Sequence, residues 1–182
     1  GYKTARLNIA REPRFYASLS FDGAIVYGNG IVGDNDYSKL TYAQMKKGQP
    51  GGMIASQCYS ITGYLPKKLV AVETVGNQGT FTSYRYSFPV IRLADLYLLY
   101  AEALNEIKSS PDAEVYQWID KVRKRASLKG VVESWTKYST MPNKVSTQDG
   151  MREIIHRERL IELAFEGETF WDLLRWKEAG EE

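Results

Sequence analysis

Little in this sequence supports covalent or metal chemistry. Its one cysteine, Cys58, excludes an internal disulfide. Its one histidine, His156, leaves no metal constellation with sensible ligand spacing, and both residues read as packing residues. No apolar run of about eighteen residues occurs, so no helix written here spans a membrane. Charge imbalance is lacking too. A net charge of +2 argues against a nucleic-acid partner. The only basic cluster, KVRKR at Lys121 to Arg125 with Lys129, alternates with apolar positions and reads as the solvated face of a helix. The first residues, GYKTARLNIAREPRF, are polar and charged and carry no signal-peptide pattern, which fits a cytoplasmic protein or a trimmed piece of an exported one.

What the chain has in quantity is aromatic surface. Its 182 residues suffice for one domain with a substantial core, or for a fragment of something larger. They include 13 tyrosines and 4 tryptophans, and most of the tyrosines precede residue 87, in the half richest in glycine. Aromatic rings on loops suit planar or sugar ligands, and they serve equally well in cores and hairpins.

Residues 1–87 read as loop-rich, with short strands. Alternation in FYASLSF predicts a strand over Phe15 to Phe21, and turn signals follow at Asp22-Gly23, Gly28-Asn29-Gly30 and Gly33 to Asp36. GYLPKKLVAV, Gly63 to Val72, reads as a strand interrupted by Pro66, and a turn is expected around Gly76 to Gly79. Long loops are uncommon in a compact domain unless functional or held by a neighbour, so this half is expected to lean on a helical body.

That body, over residues 88–128, reads as a helical hairpin. Ile91 to Ile107 is rich in helix formers, with Ala94, Ala101 and Ala103 small enough for close approach and Leu96, Leu99, Tyr100 and Leu104 supplying bulk. Ser110 and Pro111 predict the start of a second helix with proline at its first position and a buried stripe of Val115, Trp118, Ile119, Val122 and Ala126. The pair resembles one tetratricopeptide-like unit, which cannot bury both faces alone. Residues 129–146 read as a polar connecting loop carrying Trp135 and Tyr138.

Residues 147–182 are expected to cap the hairpin. Met151, Ile154, Ile155, Ile161, Ala164 and Phe165 recur at helical spacing, Thr147 suits an N-cap, and Gly167 suits a left-handed residue after Glu166. A shorter helix from Thr169 carries Phe170, Trp171 and Trp176, whose aromatic area is expected to fold into the core. Arginines and carboxylates interleave with these residues. Glu158 and Glu162, one turn apart, admit an acid/base or metal reading, and the density of arginine points instead to internal salt bridges.

Five stretches, NIAREPRFYASL, TGYLPKKLV, PVIRLADLYLLYAEALNE, WIDKVRKRA and HRERLIELAFEGETFWDLLRW, taken together resemble the SusD/RagB family of outer-membrane nutrient-binding lipoproteins of Bacteroidetes. The resemblance implies a mostly α fold with short irregular β elements, built on a tetratricopeptide-type hairpin plus capping helices. It implies no catalysis and no cofactor. It also implies cell-surface capture of oligosaccharides, or in some members peptides, for a SusC-like TonB-dependent outer-membrane transporter. It places the chain in the C-terminal region of a member, so a lipid anchor and an N-terminal helical half are expected as a missing partner. Glu168 and Thr169 stand where the family usually has basic or histidine residues. The resemblance implies scaffold roles for Arg92, Asp95, Glu102, Arg123, Arg125, Glu158, Arg159, Glu162, Glu166, Asp172 and Arg175. Exposed aromatics beside amides or carboxylates are then the candidate glycan contacts: Tyr37 and Tyr42 with Asn35 and Asp36, or Trp135 with Tyr138.

Overall fold

The computed structural model describes residues 3–26, 41–49, 51–52, 60–71, 74–77 and 80–180. Two units are formed, residues 1–88 and 89–182. Asn35, Asp36 and Tyr37, Cys58 and the turns read at residues 28–36 and 78–79 lie outside the described residues.

The first unit opens on helix α1, Pro13–Ser18, with proline in its first turn, followed by strand β1, Leu19–Phe21. The alternation of FYASLSF predicted a strand throughout. Pro13 instead presets helical φ at the start, and the chain turns extended only at Leu19. The apolar rings still converge. Phe15 lies 5.2 Å from Phe21 and 6.2 Å from Tyr64 between centroids, and Tyr16 meets Phe15 edge-on at 5.4 Å. Strand β2, Ile25–Val26, pairs antiparallel with β3, Thr41–Tyr42, so that Ile25 stands opposite Tyr42. The Asp22-Gly23 turn joins β1 to β2, with Gly23 at φ 86°.

Strand β4, Tyr64–Pro66, pairs antiparallel with β1, Phe21 opposite Tyr64. The strand expected to reach Val72 stops at Pro66, which has no N–H for the ladder. The amides of Lys67 and Lys68 turn back onto the Ser18 carbonyl, and Leu69 takes a left-handed φ of 67°. A third two-stranded pair, the antiparallel β5 at Val75–Asn77 and β6 at Thr80–Thr82, completes the described strands.

The second unit is helical. Helices α2, Leu93–Ile107, and α3, Ala113–Arg125, run antiparallel, with Tyr100 edge-on to Trp118 at 5.1 Å while Tyr97 lies under Lys121. Of the α3 stripe, Val115, Ile119, Val122 and Ala126 are buried as expected, while Trp118 is half-buried at the edge of the core. On α2 the buried apolar residues are Ala94, Leu98, Ala101 and Leu104, whereas Leu96 is exposed and Ala103 points outward. The start of α3 also differs. The helix opens at Ala113 rather than with Pro111 at its first position, and Asp112 caps it, its Oδ1 accepting from the amides of Glu114 and Val115 at 3.1 and 3.2 Å.

Residues 129–146, read as a polar loop, hold helix α4, Val131–Tyr138, and a 3₁₀ turn at Pro142–Ser146. The helix forms because Asp120 of α3 accepts from the Val131 amide at 2.7 Å, while Val131 and Val145 drop into the core. Helix α5, Gln148–Glu162, lies against α2 with Met151, Ile154 and Ile155 completing that core. Each such fully buried aliphatic side chain contributes about 1.5–3 kcal/mol. Thr147 caps α5 as expected, its hydroxyl accepting from the Gly150 amide at 3.2 Å. Gln148 does a second job. Its Nε2 lies 2.8 to 3.2 Å from the carbonyls of Asn105, Glu106 and Lys108, satisfying the orphan end of α2.

Helix α5 ends at Glu162, short of the expected Glu166; Phe165 (φ 67°) and Gly167 (φ 92°) then reverse the chain into α6, Glu168–Trp176. The expectation that the aromatics of α6 all join the core is corrected. Trp171 is 65% exposed, and Phe170 and Leu174 accompany it outward. What α6 buries is Asp172, because the helix is held by charge rather than by grease.

Candidate functional site

In the second unit the charged residues meet in a lattice. Arg159, only 1% exposed, forks onto both oxygens of Asp172 at 2.9 and 3.0 Å and reaches Asp95 at 2.8 Å. Arg175 forks onto Glu102 with two 2.6 Å bonds and touches Asp172 at 2.8 Å. The Trp176 indole N–H donates to Glu102 at 2.9 Å, and the ring stacks on His156 at 3.6 Å between centroids. Arg92 forks onto Glu166 at 2.6 and 2.7 Å and reaches Glu162, which Arg125 also engages. Arg123 joins Glu158 at 2.9 Å to the Ser134 hydroxyl and the Lys129 carbonyl. Burial pushes the Glu102 carboxyl upward, but hydrogen bonds from His156, Arg175 and Trp176 together with the charge of Arg175 outweigh it and hold the group down at about 2.

This arrangement decides between the two readings of Glu158 and Glu162. Both are buried and both face arginines, so the pair is part of a clasp rather than of an open cleft. Among the described residues no group of three or more His, Cys, Asp or Glu is placed to hold a metal ion.

Among the described residues of the first unit is a cavity of about 480 Å³, within the usual range for small-molecule sites. Its wall is mostly apolar: Phe21 of β1, Ile25 of β2, Tyr42 of β3 and Tyr16 of α1. Tyr42 reaches it because it stands opposite Ile25, and Tyr16 because α1 folds back over β1. The polar atoms are fixed by their own bonds. Tyr16 donates its hydroxyl to the Asn8 carbonyl at 2.9 Å and accepts from the Arg11 amide at 3.0 Å. Asn8, buried, donates Nδ2 to Thr4 Oγ1 at 2.9 Å and accepts from the Tyr64 hydroxyl at 2.7 Å. Thr4 in turn donates to the Asp22 carbonyl. Lys67, just past β4, lines the rim, its Nζ 3.4 Å from the Ile25 carbonyl, and burial lowers its pKa.

Of the aromatic candidates, Tyr42 stands in this cavity. Trp135 and Tyr138 stand elsewhere, on helix α4 rather than on a loop. Trp135 packs against the hydrophobic core, and Tyr138 is 67% exposed with Lys129 donating to its hydroxyl at 2.8 Å. Sequence reading missed Asn8, Tyr16, Thr4 and Lys67. The one signal available was that NIAREPRFYASL and TGYLPKKLV stood out together as stretches of shared resemblance, and these two segments meet at Asn8 and Tyr64.

A helical hairpin of tetratricopeptide type, capped by two helices through an arginine–carboxylate lattice and preceded by a unit of short hairpins, defines a SusD-like architecture. The chain belongs to the SusD family, which matches it along residues 1–182. Two proteins of Formosa agariphila are similar to it. SusD-like protein P2 is 38% identical over 102 residues, 56% of this chain and 19% of that protein. SusD-like protein P25 is 40% identical over 87 residues, 48% of this chain and 15% of that protein. A solved SusD-like carbohydrate-binding protein of Bacteroides fragilis superposes with a TM-score of 0.62 at 29% identity, over 97% of this chain and 31% of that one. The chain therefore spans less than a third of the length of these relatives. Among the described residues no helix is long and apolar enough to cross a membrane.

Proposed function

We propose that this chain is a non-catalytic glycan-binding part of a cell-surface protein, lipid-anchored at the outer membrane as a whole, that delivers oligosaccharide to a SusC-like TonB-dependent transporter. The observation that carries the reading is the cavity of the first unit, where the Tyr16 and Tyr42 rings and Phe21 stand beside the fixed amide and hydroxyl of Asn8 and Thr4. Rings offer a sugar its apolar faces and the amide offers hydrogen bonds to hydroxyls, with little reorganisation because Asn8 is already held. Membership of the SusD family and likeness to a carbohydrate-binding relative support it.

A glycan-array screen of the 182-residue chain, followed by calorimetry on each hit, tests this reading. Binding is expected, with affinity falling about tenfold or more on Tyr42→Ala and staying unchanged on Tyr138→Ala. An array hit whose affinity is indifferent to Tyr42 removes the cavity from the reading.

The other reading is an interaction fragment with no ligand site of its own. It is favoured by the outward stripe of α2, where Leu93, Leu96, Tyr100 and Ile107 are exposed at helical spacing, and by Phe170, Trp171 and Leu174 on α6. A blank array together with unchanged stability of Tyr42→Ala selects this alternative.

A further inference from the structure

The cavity of the first unit holds little polarity in reserve for a ligand. Its polar side chains bond to one another and to the backbone. Asn8 gives one amide hydrogen to Thr4 and accepts from the Tyr64 hydroxyl, Thr4 donates to the Asp22 carbonyl, and the Tyr16 hydroxyl both donates to the Asn8 carbonyl and accepts from the Arg11 amide. The main chain along the same wall is engaged too. The Gly23 amide donates to the Ala43 carbonyl at 2.9 Å, the Ala24 amide to the Phe21 carbonyl at 2.8 Å, and the Ala24 carbonyl accepts from the Ala43 amide at 2.8 Å. The Lys67 ammonium sits 3.4 Å from the Ile25 carbonyl. The rest of the wall is hydrocarbon: Phe21, Ala24, Ile25 and the rings of Tyr16 and Tyr42.

Resting on the glycan-binding reading above, we infer that the cavity selects a 6-deoxyhexose, a sugar whose ring carries a methyl group where an ordinary hexose carries a hydroxymethyl, and that Ile25 reads the methyl. Against Ile25 and Ala24 a methyl leaves water without giving up a hydrogen bond. A hydroxyl in the same place loses its water and meets groups whose bonds are already made, which is the costly way to bury a polar atom. The ring hydroxyls still find a donor. An amide has two hydrogens, so Asn8 has one beyond the bond to Thr4 that holds it in place. An N-acetylated sugar also brings a methyl, but with it an amide whose N–H and carbonyl both need partners beside an apolar wall. Selection of this kind comes from burial rather than from charge, so salt does not screen it.

The test is calorimetry on the 182-residue chain with paired oligosaccharides of matched length, ending in L-fucose or L-galactose, in L-rhamnose or L-mannose, and in N-acetylglucosamine or glucose, in wild type, Ile25→Val and Ile25→Thr. In one of the first two pairs the 6-deoxy member is expected to bind wild type about tenfold tighter than its hydroxylated counterpart, with a margin that holds from about 0.02 to 0.5 M salt. Ile25→Val leaves the wall apolar and is expected to keep the margin. Ile25→Thr keeps a β-branched residue in β2 but puts a hydroxyl in the wall, and is expected to shrink the margin to about twofold or less by admitting the hydroxylated member. Ile25 is 41% exposed, so both variants are expected to fold. Equal binding within both 6-deoxy pairs, or a margin confined to the N-acetyl pair, overturns this inference and leaves the glycan reading standing. Binding of none of the probes by a chain that the array shows to bind other sugars also overturns it, whereas a blank array removes the glycan reading itself. A wild-type margin that Ile25→Thr leaves intact at an unchanged thermal midpoint overturns the role of Ile25. If Ile25→Thr fails to fold, the wild-type pairs and Ile25→Val decide.

Discussion

Arg159 is the residue on which the helical unit depends most. Its guanidinium makes two bonds to Asp172 and one to the Asp95 carboxylate, in a place almost wholly removed from water. Arg159→Ala leaves Asp172 buried with a single remaining cation, Arg175 at 2.8 Å. Removing one partner of a buried pair costs about 3–5 kcal/mol, and the residual bond from Arg175 puts this case near 3. All four tryptophans follow residue 88, so tryptophan fluorescence follows the unfolding of this unit. With a urea slope of about 1.5–2 kcal/mol/M, the midpoint is expected to fall by about 1.5–2 M. Arg159→Lys loses the fork and is expected to fall between the two. The double variant Arg159→Met with Asp172→Leu removes the charge together with its counter-charge and is expected to be more stable than Arg159→Ala alone. A midpoint shift under about 0.5 M for Arg159→Ala refutes the reasoning, since it means that water reaches Asp172.

Gly150 sits where a Cβ would lie 2.1 Å from the Lys144 carbonyl oxygen, so Gly150→Ala is expected to cost about 1–3 kcal/mol or more by thermal unfolding, despite alanine's better helix propensity. Trp171→Ala is expected to cost less than about 1 kcal/mol in the same urea titration, because most of the ring is already in water. The Glu102 carboxyl is held at about 2 against an ordinary 4.5, so its contribution is fully present above the higher value and lost as pH falls through the lower. Stability measured between pH 5 and pH 2 is therefore expected to fall less steeply in Glu102→Gln than in wild type.

What could be read from the sequence was what is local. The Thr147 cap needs only the amide three residues on, and the α3 stripe follows from spacing alone. The lattice was legible in kind, because arginines and carboxylates packed among apolar residues have to pair. It was not legible in detail, since Arg92 finds Glu166 and Arg175 finds Glu102 across more than seventy residues. Trp171 faces outward: aromatic area carries no direction by itself, and Asp172 decides which side of α6 turns inward. The strand expected at Phe15 failed to Pro13, a single residue that presets the helix. For the cavity, Tyr42 stood out as a ring in a glycine-rich region, whereas Asn8, Tyr16 and Lys67 reach it only through strand pairings that no local pattern encodes.

The lattice also orders events in time. Asp95 and Glu102 leave the ribosome before their partners, on a helix whose Arg159 and Arg175 are made some sixty to seventy residues later. At about 5–20 residues per second the nascent α2 waits several seconds with its carboxylates hydrated and unclaimed. Their charge keeps that face soluble during the wait, where an apolar seam of the same length would invite non-native association. The same groups that lock the finished unit thus guard it while it is incomplete, and locking comes last, when Arg175 arrives.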